Sequence, residues 1–179
     1  VSDIMTNEQG RLRTRVAVFA SVAVIALALD QITKAWAQHA LADGRTMRVI
    51  PGILSFTLVH IPGASLGMGS HLTWLISLLA IVACAVLIVL TLRTISMKWT
   101  VIFALAFAGA LGNLIDRVVY AEGFLNGKVV DFLNYGWSVG NVADIFLMIA
   151  GIAAVLLLLL GEPFSQKELD EQNAEANAA

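Results

Sequence analysis

Gly140-Asn141-Val142-Ala143-Asp144-Ile145-Phe146 opens an almost wholly apolar run that continues to Leu160. About 20 mostly apolar residues are what a helix needs to cross a bilayer, so this stretch sets the class of the molecule. It also carries an acid at the membrane boundary, and Asp131 lies shortly before it in Val129-Val130-Asp131-Phe132. An ionisable residue in such a place costs a few kcal/mol unless it is paired or lines a wet cavity, so it marks a functional site.

The rest of the chain fits a membrane protein. Of its 179 residues 59% are hydrophobic and 13% charged, against roughly 25% charged in soluble domains. Mean hydropathy is +0.83. The net charge of −2 and the lack of a basic stripe argue against nucleic acid. Cys84 is the single cysteine, so no internal disulfide forms, and a packed, inert thiol is expected.

Four spans are predicted, over about 16–36, 72–92, 99–118 and 139–160. The apolar part of the first, Val16 to Leu29, is too short alone, so Asp30, Gln31 and Lys34 must lie inside that helix. The third is apolar to Leu114 and is completed by Ile115 to Val118. Arg11, Arg13 and Arg15 precede the first span, and Arg93 and Lys98 lie between the second and third. Positive charge near span ends prefers the cytoplasm. Residues 1–15 and both termini are therefore expected inside, and the loops 42–70 and 118–138 outside. A cleaved signal peptide ending near Ala26-Leu27-Ala28 is the competing reading of the first span. The acidic stretch 161–179 reads as a disordered tail.

The outer loop is not a plain linker. Val49-Ile50, Pro51-Gly52 and Ile53 to Val59 read as a strand, a turn and a longer strand, broken later by Pro62-Gly63 and Gly67-Met68-Gly69. Such a sheet either grips an extended peptide by strand addition or merely covers helix ends. The expected architecture is an all-α membrane protein, a four-helix transmembrane bundle with a small extracytoplasmic β-sheet.

Each polar residue in the apolar frame has two readings. Asp30 and Lys34 share a helix face, as a self-neutralising pair that snorkels to the interface or as a contact for substrate. Asn113, Asp116 and Arg117 share a face of the third span. Arg117 can pair with Asp116 or aim at another carboxylate or a phosphate. Gly109, Ala110 and Gly112 let another helix approach closely. Asn141 and Asp144 begin the fourth span, where an acid caps a helix without any chemistry. A cap does not need the second acid, Asp131. Two close carboxylates cannot both ionise cheaply and tend to share a proton, the arrangement that activates water as base and protonates a leaving amine as acid. His39, His60 and His71 lack metal-ligand spacing, and no H-E-x-x-H or G-x-S-x-G occurs. A Ser65/Lys34 nucleophile pair is a lesser alternative.

In order, Asp30-Gln31-Ile32-Thr33-Lys34, Pro62-Gly63-Ala64-Ser65, Gly112-Asn113-Leu114-Ile115-Asp116-Arg117, Val129-Val130-Asp131-Phe132 and Asn141-Val142-Ala143-Asp144 closely resemble the blocks of bacterial lipoprotein signal peptidases, also called signal peptidase II. The resemblance implies a membrane-embedded aspartyl protease over 16–160, in the bacterial cytoplasmic membrane with its site near the outer face. Such an enzyme removes signal peptides from lipidated prolipoproteins just before a diacylglyceryl-modified cysteine. It implies Asp131 and Asp144 as catalytic acids. Asp30, Lys34, Gly63, Asn113, Asp116, Arg117 and Asn141 become supporting or substrate-binding positions. No metal or organic cofactor is implied, a monomer suffices, and globomycin-type cyclic peptides are expected inhibitors. Two positions depart from the family. Ile61 stands where an asparagine is usual, with His60 beside it as a conceivable substitute. Gly140 stands where phenylalanine is frequent, with an expected loss of packing. The alternatives are a small transporter or proton pathway, and a lipid-binding assembly factor.

Overall fold

Apolar runs bounded by charged or capping residues become the helices. In the computed structural model, which describes residues 2–63 and 70–178, four helices are long and apolar enough to cross a membrane. Helix α1 covers Ser2–Ala40, α2 Thr73–Arg93, α3 Met97–Val119 and α4 Val142–Leu159. The apolar part of α1, Arg11–Ala40, has 30 residues. At 1.5 Å per residue it exceeds the ~30 Å hydrocarbon layer, which puts Asp30 and Lys34 near its far end. Half of the apolar window of α3 is buried, against 11–17% in the other three. So α3 is the central helix, and the others turn most of their apolar surface outward, as helices facing lipid do. Cys84 is buried in α2 as a free thiol.

Small residues let α3 sit in the middle. A Cβ on Gly109 would stand 2.6 Å from the Ala143 carbonyl oxygen, and one on Gly112 would run into Asp30 Oδ2. Any larger residue there would push α4 or α1 away.

A four-stranded antiparallel sheet sits at one end of the bundle, in the order β1 (Met47–Ile50), β2 (Leu54–Ile61), β3 (Val129–Asn134), β4 (Val139–Gly140). The first two strands are the expected hairpin, turning at Pro51-Gly52 with Gly52 at φ 75°. The sheet rests on the ends of α1 and α4: Ala37, Leu41, Phe132 and Leu133 form a buried cluster that takes in Phe56 and Ile145. Trp36, Phe56 and Phe132 meet edge to face at centroid distances of 5.4–6.3 Å, a favoured aromatic geometry.

Three expectations change. Val139 and Gly140 were expected in the fourth span but form β4, because Asn141 caps α4 and the helix starts only at Val142. Strand β3 was not foreseen, although Val129-Val130-Asp131-Phe132 has the β-branched and aromatic content of a strand. The acidic tail was expected to lack structure, but it forms helix α5, Gln166–Ala178. Its start has a cap, since Glu168 N donates to Ser165 Oγ and Glu168 Oε2 accepts from Phe164 N. Gln166–Asp170 and Lys167–Glu171 contacts one turn apart support it further.

Candidate active site

The site begins with a buried lysine. Lys34 Nζ lies 2.9 Å from Asp30 Oδ2 and 2.8 Å from Asp116 Oδ2, and donates to Asn113 Oδ1 at 3.1 Å. All four residues are buried. Buried charges persist only when paired and fully hydrogen-bonded, and here both acids also bond backbone groups. Asp30 Oδ1 accepts from the Ala143 N–H at 2.9 Å, one of the unpaired donors in the first turn of α4. Asp116 Oδ2 accepts from the Val130 N–H at 3.1 Å. Each acid therefore holds the backbone next to one of the two candidate catalytic aspartates. Asp30 fixes the residue before Asp144, and Asp116 fixes the residue before Asp131.

Asn141 joins the two aspartates. Its Oδ1 accepts from Asp144 N, and Asp144 Oδ2 accepts from Asn141 N, a reciprocal helix cap. Its Nδ2 donates to Asp131 Oδ1 at 2.6 Å and to Asn113 Oδ1 at 3.0 Å. Asn113 Nδ2 in turn donates to Asp144 Oδ1 at 2.8 Å. Asp144 thus does cap its helix, and the same bonds aim it at the site. Gly140 is fitted to this arrangement, since a Cβ there would stand 2.9 Å from Asp144 Oδ2. The glycine leaves space for the carboxylate rather than simply losing packing.

Asp131 lies on β3, outside the membrane-spanning helices, and is almost fully buried. Burial, and next the charge of Asp144, push its carboxyl up to about 7, against the opposing pull of the Asn141 hydrogen bond and Lys34. Loss of hydration and a like charge both disfavour the ionised form.

A cavity of about 50 Å³ opens onto the pair, lined by Ile61, Gly63, Asn113, Arg117, Val129, Val139 and both aspartates. Water occupies about 30 Å³ in the liquid, so one or two waters fit. Among the described residues, no group of three or more His, Cys, Asp or Glu could hold a metal ion.

The structure brings every proposed site residue to one end of the bundle, in roles that differ in part from those expected. Asp30 and Lys34 do not snorkel to the interface; both are buried, and neither lines the cavity. Asp116 pairs with Lys34 instead of Arg117. Arg117 donates through Nη1 to the Asn113 carbonyl and through Nη2 to the Gly63 carbonyl. His60 cannot replace an amide at position 61. It pairs with Val130 on the opposite face of the sheet from Ile61 and Asp131, and lies edge-on to Tyr120. Ala64, Ser65 and the 67–69 break lie outside the described residues, and with them the Ser65/Lys34 pairing. Sequence reasoning missed Val129 and Val139 as cavity walls. It also missed Gln31, whose Nε2 donates to Asp30 Oδ2. The alternation of β3, with Val129 two residues from Asp131, was the available signal for the first.

Comparison with known proteins gives the family of the chain. The profile of the family described as Signal peptidase (SPase) II matches residues 22–160. A lipoprotein signal peptidase of Bifidobacterium adolescentis is 78% identical over 94% of this chain and 90% of its own length. One from Mycobacterium avium is 37% identical over 89% and 88%. The fold is similar to a bacterial membrane enzyme solved by the in meso method at 2.3 Å, with a TM-score of 0.70 and 30% identity, covering 80% of this chain and 88% of that one. Neither transport nor a bare assembly role gains support from these matches. With its spanning helices, its sheet and two aspartates on one small cavity, the chain belongs to the signal peptidase II family of membrane-embedded aspartic peptidases.

Proposed function

We propose that Asp131 and Asp144 are the catalytic pair with which this peptidase removes the signal peptide from diacylglyceryl-modified prolipoproteins, just before the lipidated cysteine. The observation that carries the proposal is the bonding of Asn141 to both carboxylates at the mouth of one cavity. Asp131 holds the shared proton, in keeping with a carboxyl raised to about 7. Asp144 takes a proton from a water held between them as that water attacks the scissile carbonyl. Asp131 gives its proton to the carbonyl oxygen. The tetrahedral adduct then collapses: one of its hydroxyls returns a proton to Asp131 as the carbonyl re-forms, the proton on Asp144 goes to the departing amine, and the C–N bond breaks. Asn113 and Asn141 hold the carboxylates in place, while Arg117 and Gly63 fix the cavity wall. No cofactor enters these steps.

The substrate lipid stays in the bilayer and sets the depth of the cleavage site. Globomycin-type cyclic peptides inhibit by covering the aspartate pair and shutting substrate out, and a single chain holds the whole site. Arg11, Arg13, Arg15, Arg93 and Lys98 belong to the end of the bundle away from the sheet. That end faces the cytoplasm with both termini, and the site lies near the outer face. Cleavage in detergent micelles tests the reading. The diacylglyceryl-modified substrate should be cut and its unlipidated form left nearly intact. The rate should fall as pH rises through about 7, where the pair loses its proton. Equal cleavage of both forms would contradict the lipid-directed reading.

A further inference from the structure

The cavity has two unlike walls. Toward the helices it is polar, with Asn113, Arg117 and Asp144. Toward the sheet, Ile61 of β2 and Val129 of β3 stand beside Asp131. The strand register explains why they meet there. Ile61 pairs with Val129 and Val59 pairs with Asp131, so Ile61, Val129 and Asp131 project from one face of the sheet. Ile61 and Val129 offer no side-chain donor or acceptor. Most polar groups across the cavity are already engaged. Asn113 Nδ2 is taken by Asp144, and its Oδ1 by Lys34 and Asn141. Both terminal nitrogens of Arg117 donate to backbone carbonyls.

We propose that Ile61 is a specificity-determining residue. With Val129 it forms a dry wall against the substrate side chain on the amino side of the scissile bond, accepting a methyl group and penalising a hydroxymethyl group of nearly the same size. The proposal rests on the peptidase reading above and adds which property of the flanking residue is read. A cavity of about 50 Å³ already restricts size. Alanine and serine differ there mainly in a hydroxyl, which loses its water and gains no partner from the wall.

The test compares kcat/KM for two lipidated prolipoproteins that differ only in alanine or serine before the modified cysteine. The enzymes are wild type, Ile61→Val, Ile61→Thr and Ile61→Asn. Wild type should prefer alanine by about tenfold or more, within the ~10²-fold that an apolar pocket achieves against an added hydroxyl. Ile61→Val should keep the preference. Ile61→Thr, with the shape of valine and a hydroxyl, should narrow it to about threefold or less by improving the serine substrate, because the added hydroxyl then finds a partner. Ile61→Asn should narrow it further. Threonine suits a strand, so the Val/Thr pair decides the matter even if the asparagine variant fails to fold. Equal cleavage of both substrates by wild type would overturn the proposal and point to capture of the hydroxyl by Arg117 Nε, which has no partner among the described residues. A preference unchanged in Ile61→Thr would overturn it as well. If wild type cut neither substrate, the peptidase reading itself would fall, and this proposal with it.

Discussion

Each end of the bundle has a lysine in an ion pair, with two acids at one end and one at the other, and the two could hardly be used more differently. At the sheet end Lys34 meets Asp30 and Asp116 with side-chain exposures of 3%, 0% and 3%. At the other end Lys98 meets Glu162 at 2.6 Å, with exposures of 66% and 20%. Glu162 also accepts from Ser96 Oγ, and its carbonyl takes the Trp99 indole N–H, so it fastens the segment after α4 to the start of α3. That is a latch in water, where an ion pair gains little. The Lys34 cluster sits in a low dielectric, where attraction is strong and an unpaired member is costly. Its acids also hold the backbone beside each of the two proposed catalytic aspartates, so the fold's most expensive charges sit where they can position the proposed chemistry.

The sharpest way to break this contrast is to delete each lysine. Lys34→Met leaves Asp30 and Asp116 buried without their cation and should cost about 3–5 kcal/mol of stability, read as thermal unfolding in micelles. Equal small losses for Lys34→Met and Lys98→Met would end the comparison.

Next in size is an effect of the opposite sign. The Asp131 carboxyl, raised to about 7 when folded, ionises later than it would in the unfolded chain. Its protonated form favours the native state at low pH, and that advantage is lost as pH rises from about 4 to about 7. Asp131→Asn removes the buried charge and should raise the melting temperature at pH 8, with the gain shrinking toward pH 4. A gain independent of pH would show that Asp131 is not the strained member of the site.

Asn141→Ala removes the cap of α4, worth about 1 kcal/mol. It also removes the donor to Asp131. Activity should fall about 10²-fold, in line with the sensitivity of catalysis to small misplacements. Loss of stability with unchanged turnover would reduce Asn141 to a cap alone. Lys98→Met should be the mildest change, at ~1 kcal/mol or less, and its effect should fade with added salt.

Much of this was legible in the sequence. Apolar length predicted the four spans, and acids stranded at a membrane boundary singled out Asp131 and Asp144, which the structure places on one cavity, because both signals follow from the cost of putting polar groups in lipid. The roles of Asp30 and Lys34 were not legible. Their spacing on α1 is equally that of a surface pair, and it is the packing of α3, with Gly112 against Asp30 and with Asn113 and Asp116 on Lys34, that buries them. Nor could spacing show that Asp116 turns from Arg117 to Lys34, since that choice is made by tertiary packing. The tail helix was missed for a local reason. Its acidic composition suggested a solvated coil, while the Ser165 to Glu168 cap pointed to a helix start.

The most direct test of the account is the cleavage of a diacylglyceryl-modified prolipoprotein by folded Asp131→Asn and Asp144→Asn proteins beside wild type. The account predicts product from wild type alone, with each single variant slower by at least about 10³-fold, since neither aspartate can both take and give the proton without the other. Near-normal cleavage by either variant, with folding intact, would contradict the paired-aspartate mechanism.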